Sequence, residues 1–289
     1  MVVSGAALAV GLVCWSVYAR QAPPPSERKI TIPTEGANLA ATVSYPPGRG
    51  PFPGVVLVHG SGRMTRDQLR RERDHLVSKG LAALVYDKRG VGGSTGDYDN
   101  VGVRTSPERM PLLGRDALAC LRALRAQARV DAARLGFFGA SQAGWIIPAA
   151  IAAANAGEVR FAVILSGPAT SVGLEDAYSQ ATGDGIRAHE SLTPAQIDAR
   201  VDAYRGPQGF DHVSILRGLT TPTLWLVGEQ DESIPVRHTE RNLRGAIAAG
   251  APITLRMYPG ANHGLSGPSG PVPYWTDVVN WLRAERILL

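Results

Sequence analysis

The chain predicts an α/β fold: a mostly parallel sheet with helices on both of its faces. Three observations lead there. Six short, largely apolar runs recur, "GVVLVHG", "LAALVYD", "RLGFFGA", "FAVILSG", "PTLWLVG" and "ITLRMYP". Segments with helical spacing of apolar residues separate most of them. Most of the runs end in glycine and polar residues. Strands apolar on both faces need cover on both faces, and intervening helices supply it along with the long crossovers of parallel pairing.

The first 28 residues stand apart from that pattern. "SGAALAVGLVCWSVYA" is an uncharged apolar run, followed by Arg20 and the proline-rich "QAPPPSER". Val17-Tyr18-Ala19 fits the small-residue cleavage site of a secretory signal. The run is also nearly long enough for a membrane anchor, and no Lys or Arg precedes it. Residues 1–28 are therefore expected to be a signal peptide or N-terminal anchor plus linker. The protein is then exported, periplasmic or extracellular, or held at a membrane by residues 1–19, and residues 29–289 form the folded domain.

"KITIP" and "NLAATVSYP" alternate apolar and polar residues around the turn-like "TEGA", the pattern of an antiparallel hairpin. Helices are expected at about Asp67–Lys79, Ser106–Gln127, Gln142–Ala156, Val236–Ala249 and Tyr274–Ile287. Ser106 is placed to cap the second, with Pro107 at its first helical position. From about 169 to 219 no strong strand occurs. There "LTPAQIDARVDAY" opens on a capping box, Thr193 and Gln196, around Pro194. This stretch predicts a short helical insertion that forms a lid.

Composition narrows the function. With 44% hydrophobic and 19% charged residues the 289-residue chain reads as an ordinary globular protein. A net charge of +5 raises the question of an anionic partner. Only three of the 30 basic residues are lysines, Lys29, Lys79 and Lys88, and the arginines are scattered singly. The densest stretch, "RDQLRRER", carries its own acids, as a solvated helix face does, so no nucleic-acid partner is expected. Cys14 and Cys120 have no metal-ligand spacing and are not expected to pair. Cys120, within "GRDALACLRALRAQ", is expected in the core. No metal and no cofactor is expected.

In parallel sheets ligands bind where the strands' carboxyl ends open into loops. One run there is followed by Ser141 within "GFFGASQAGW", among Gly139, Ala140, Ala143 and Gly144. A serine with such small neighbours fits the cramped strand-to-helix turn of a nucleophile elbow, G-x-S-x-G, although Ala143 holds the last position and glycine follows one residue later. Other runs end in His59-Gly60-Ser61-Gly62 and in Gly228-Glu229-Gln230-Asp231. The last is followed by Pro259-Gly260-Ala261-Asn262-His263-Gly264. Either Glu229 or Asp231 is a candidate carboxylate.

With these motifs in the order Ser, Asp, His, the chain resembles the α/β-hydrolases. It is similar to their dienelactone-hydrolase, prolyl-oligopeptidase-like and serine-aminopeptidase branches. The likeness runs from about Leu39 to the C-terminus and is weakest in the insertion. It implies Ser141 as nucleophile, His263 as its base and Asp231 as the carboxylate that orients the imidazole. Asp231 is favoured because Gly228, Asp231, Ile234 and Pro235 match the family's G-x-x-D-x-x-[IV]-P, which leaves Glu229 to solvent. The backbone N–H of Gln142 and that of Ser61, with Gly62 as the alternative, are the expected oxyanion donors, and His59 shapes their loop. "YDKRGVGGSTGDY" resembles the family's D-x-R-G-x-G-x-S loop, braced by Asp87 and Arg89. It fails the dinucleotide pattern because Thr95 stands where the third glycine belongs. Trp145 is expected in the core.

The resemblance implies a serine hydrolase acting on a small-molecule carboxylic ester with a small or medium acyl group. Two alternatives stay open. One is a peptidase whose substrate amine meets acids of the insertion such as Glu175 and Asp176. The other is a catalytically silent binding protein that keeps the fold.

Overall fold

The computed structural model describes residues 26–185 and 192–289. The expected signal or anchor, with Cys14, lies outside the described residues. The chain begins with the hairpin β1 (Ser26–Thr34) and β2 (Ala37–Tyr45), turning at Glu35-Gly36, where Gly36 has φ +67°. Residues 26–28, expected in the linker, belong to β1. There follow β3 (Phe52–Val58), a 3-10 turn at Arg66–Leu69, α1 (Arg70–Ser78), β4 (Ala82–Tyr86), α2 (Ser106–Arg125), β5 (Val130–Ala140), α3 (Ala143–Ala153) and β6 (Phe161–Leu165). After β6 come α4 (Val172–Thr182), α5 (Pro194–Asp202) and α6 (Val213–Arg217). The chain closes with β7 (Thr223–Gly228), α7 (Val236–Ala248), β8 (Ile253–Tyr258) and α8 (Tyr274–Ala284).

Eight strands form one sheet in the order β1-β2-β4-β3-β5-β6-β7-β8. The hairpin and the β2–β4 pair are antiparallel, and every pair from β4 to β8 is parallel. This is the expected α/β-hydrolase fold. Strand residues alternate between two cores, as a period of two requires. Val56, Val58, Leu84, Trp225 and Val227 pack with Met110, Leu121, Ile147 and Leu243 of α2, α3 and α7. Val55, Leu57, Val85, Leu224 and Leu226 pack with Leu76, Val278 and Leu282 of α1 and α8. Cys120 lies in the first core with no exposure.

From β3 the chain crosses by α1 to β4 on one side, then returns by α2 to β5 on the other. The switch of direction between β3 and β5 leaves a crevice at their carboxyl ends, the standard ligand position in such sheets. "HGSG" and "GASQ" both open there.

In the insertion between β6 and β7 the described residues form α4, α5 and α6, matching the expected helical stretch, and the Thr193–Gln196 capping box is formed. The insertion covers the loop after β7: Tyr178 of α4 donates to the Asp231 carbonyl at 2.8 Å, and Arg237 of α7 pairs with Asp198 of α5 at 3.2 Å. Ser106 corrects an expectation. It is the first residue of α2, with Thr105 at the cap position, and its hydroxyl donates to the Val103 carbonyl while accepting from the Phe210 amide at 2.8 Å. The hydroxyl thus ties α2 to the insertion instead of capping its own helix.

Candidate active site

Ser141 directly follows β5 and adopts φ +57°, a left-handed conformation uncommon for any residue with a side chain. Two backbone bonds hold it: its amide donates to the Leu165 carbonyl of β6 at 2.9 Å, and its carbonyl accepts from the Gly144 amide at 2.8 Å. The small neighbours now have a reason. A methyl on Gly139 would stand 2.5 Å from the Ala143 Cβ and 2.8 Å from the Val58 carbonyl. Ala143 is fully buried, so its methyl uses the space that Gly139 leaves free. Gly144 is required by a separate contact, since a Cβ there would meet Gly167 Cα at 2.7 Å. Alanine at the motif's last position is therefore accommodated as long as Gly139 stays bare.

Two and three strands across the sheet from β5, Asp231 follows β7 and His263 follows β8. The imidazole Nδ1 lies 2.8 Å from Asp231 Oδ2 and 3.0 Å from Oδ1. Asp231 is buried, while the His263 side chain is 32% exposed, so the pair is anchored inside and presented outside. Oδ1 also accepts from the amides of Ser233 and Ile234 at 2.8 and 3.1 Å, which fixes the carboxylate plane. A carboxylate facing Nδ1 selects the tautomer with hydrogen there and leaves Nε2 as the acceptor. Gly228 makes the pairing sterically possible. A Cβ there would stand 2.3 Å from the Ala261 carbonyl oxygen and 2.5 Å from that of Asn262, so the histidine loop rests against bare backbone. Glu229 is exposed, as the family pattern implies.

Gly60 of the "HGSG" loop lies against the serine, since a Cβ on it would sit 3.7 Å from Ser141 Cβ. Ser61 is exposed, and Gly62 has φ +83°. Gln142 stands at the cap position of α3, where the first amides have no partner within the helix. His59 is buried, stacked edge-on against Tyr86 at 4.5 Å, and burial with the nearby Lys88 cation holds its pKa down to about 3. It is neutral packing beneath the loop. Asp87 accepts from the amides of Arg66 and Gly93, both at 2.8 Å, and Arg89 forks onto Asp116 with two bonds of 2.7 Å. Both brace the loop as expected. Trp145 is buried in the core, where its indole donates to the Thr170 carbonyl at 2.7 Å.

Lys88, between those two bracing residues, was not singled out by sequence reasoning. Its ammonium is buried and donates to the carbonyls of Gly60 and Gly62 and to the Gln142 side chain. The signal available was its rarity, as one of three lysines, inside the glycine-rich loop. A small hollow of about 20 Å³ lies over Lys88 and Gln142, with both apolar walls (Val101, Leu112, Leu113) and charged ones (Asp97, Asp99, Arg109), and without Ser141 or His263. A larger cavity of about 530 Å³ lies beneath the insertion, lined by Asp231 and Tyr178, but its walls include neither Ser141 nor His263. Among the described residues no cluster of His, Cys, Asp or Glu could hold a metal ion.

Chemically, the carboxyl edge offers a hydroxyl on a left-handed backbone, a partly exposed imidazole with a fixed tautomer and the start of a helix: the groups of acyl transfer. Comparison with known proteins agrees on the class. Residues 68–285 match the model of the prolyl oligopeptidase family. Esterase EstD of Thermotoga maritima is 26% identical over 86% of this chain and 63% of its own. Dipeptidyl-peptidase 5 of Porphyromonas gingivalis is 23% identical over 96% of this chain and 40% of its own. This chain thus spans less than two thirds of either relative. Among solved structures, the Pyrococcus furiosus esterase Pf2001 superposes with a TM-score of 0.63, at 19% identity, over 90% of this chain and 92% of that one.

Proposed function

We propose that this chain, which belongs to the prolyl oligopeptidase family and is a serine hydrolase, cleaves carboxylic esters through an acyl-enzyme on Ser141. The observation that carries this reading is the His263–Asp231 pair, 2.8 Å apart on the same sheet edge as a serine in a left-handed elbow.

In this mechanism His263 Nε2 takes the Ser141 proton as the hydroxyl oxygen attacks the ester carbonyl. The carbonyl oxygen becomes an anion held by the backbone N–H groups of Gln142 and Ser61. Collapse of the intermediate expels the alcohol, which carries away the proton from His263. Water then gives a proton to the same imidazole and attacks the acyl group; the bond to Ser141 Oγ breaks, His263 returns the proton to that oxygen, and the acid leaves. Asp231 stabilises the transient imidazolium and takes no proton. The likeness to Esterase EstD, at 26% identity, supports the ester reading.

A fluorophosphonate probe tests the reading, since it modifies only an activated serine. Labelling is expected in the wild type and absent in Ser141→Ala, with esters hydrolysed faster than aminoacyl amides. No labelling of the wild type would return the fold to a silent binding role. A preference for aminoacyl amides would favour a peptidase, the reading supported by the likeness to dipeptidyl-peptidase 5 and by Glu175 and Asp176 on α4.

A further inference from the structure

We propose that Lys88 is a positioning residue that sets the oxyanion-binding amides by clamping their two loops together. The inference rests on the mechanism above. An ammonium has three N–H donors, and here all three have acceptors: the Gly60 carbonyl at 2.8 Å, the Gly62 carbonyl at 3.3 Å and Gln142 Oε1 at 2.8 Å. Two acceptors belong to the loop after β3, and the third belongs to the residue after the nucleophile. One side chain therefore spans the crevice between β3 and β5.

The geometry of the peptide bond carries the consequence. In a trans peptide the C=O of one residue and the N–H of the next point in opposite directions from one rigid plane. Drawing the Gly60 carbonyl onto Lys88 aims the Ser61 N–H the other way, and drawing in the Gly62 carbonyl does the same for Arg63. Gly60 has no side chain to restrict this plane, and it packs against Ser141 Cβ. Without Lys88 the Gly60–Ser61 peptide could rotate and present a carbonyl oxygen where the anion forms. Lys88 itself is fixed from below, since its amide donates to the Met64 carbonyl at 3.1 Å.

Burying a cation has a cost, and here its pKa is pulled down to about 8 by desolvation. A role confined to packing would be served by an apolar side chain of similar length. The charge has a use if it polarises the Gly60–Ser61 peptide and adds positive potential behind the developing anion.

The test compares wild type with Lys88→Met and with Lys88→Gln, which is one atom shorter and uncharged but keeps an amide N–H donor group. Each is assayed on an oxygen ester and on the matching thionoester, whose sulfur is a poor partner for amide donors. The ratio of the two kcat values does not depend on how much of a variant is folded. Lys88→Met is expected to lower kcat on the oxygen ester about 10- to 100-fold. That is less than the roughly 10²–10³-fold that follows outright loss of a donor. KM should change little, and the oxygen-to-sulfur ratio should fall by about the same factor as kcat. Lys88→Gln should lie between. An unchanged ratio in both variants overturns the proposal, whatever their stability. Ser141→Ala run alongside separates the two claims: full activity in that variant would remove the serine mechanism, whereas its inactivity beside unaffected Lys88 variants would remove only the clamp.

Discussion

His263 Nδ1 lies 2.8 Å from Asp231 Oδ2, although the two residues come from different strand ends and are separated by a whole helix and strand. The first prediction concerns this pair. Asparagine at 231 would keep the shape but offer an amide N–H to Nδ1, favouring the tautomer that leaves hydrogen on Nε2. Asp231→Asn is expected to lower kcat about 10³–10⁴-fold with KM within a few-fold. Steady-state kinetics on a nitrophenyl ester would check it, and a loss under tenfold would remove Asp231 from the mechanism.

The elbow gives a stability prediction. A methyl at Gly144 would stand 2.7 Å from Gly167 Cα, a backbone atom that cannot rotate away. Gly144→Ala should lower the unfolding free energy by about 1–3 kcal/mol and reduce activity, because α3 must shift off the sheet. Gly245 in α7 is the control, since a Cβ there meets nothing within 4 Å. Gly245→Ala should raise stability by about 0.5–1 kcal/mol through helix propensity. Urea unfolding of both proteins would separate close packing from backbone freedom, and equal effects would contradict the account.

Acid should weaken the fold through two buried imidazoles. Burial holds His59 and His212 at pKa values of about 3, against an ordinary value of 6.5. Between those values the unfolded chain binds up to two more protons than the folded chain. Their contribution to stability is therefore complete above pH 6.5 and is lost as pH falls toward 3. The slope approaches about 2.7 kcal/mol per pH unit when both imidazoles titrate only in the unfolded state. Urea midpoints at several pH values should show this fall, and His212→Asn should roughly halve the histidine share of the slope. An identical slope in that variant would mean that His212 is protonated in the folded protein.

Much of this was legible in the chain. The six apolar runs became β3 to β8 because length, period and flanking glycines are local properties. The capping box of α5 is formed where Thr193 and Gln196 predict it, since its bonds close within one turn. Ser106 went the other way: a serine before proline resembles a cap, yet its hydroxyl serves Val103 and Phe210, the latter 104 positions along the chain. No local rule contains that partner.

The candidate site divides along the same line. Residue types and their order at strand ends, together with the family resemblance that favours Asp231 over Glu229, singled out Ser141, Asp231 and His263 as candidates, because the chemistry of acyl transfer admits few side chains and a parallel sheet gathers its strand ends on one edge. The clamp of Lys88 on Gly60, Gly62 and Gln142, and the resting of the histidine loop on Gly228, emerged only after the strands lay side by side. A strand's own residues set its direction and its faces. The neighbours it meets across the sheet are set by how the whole chain packs, and these contacts exist between segments that carry no mark of one another.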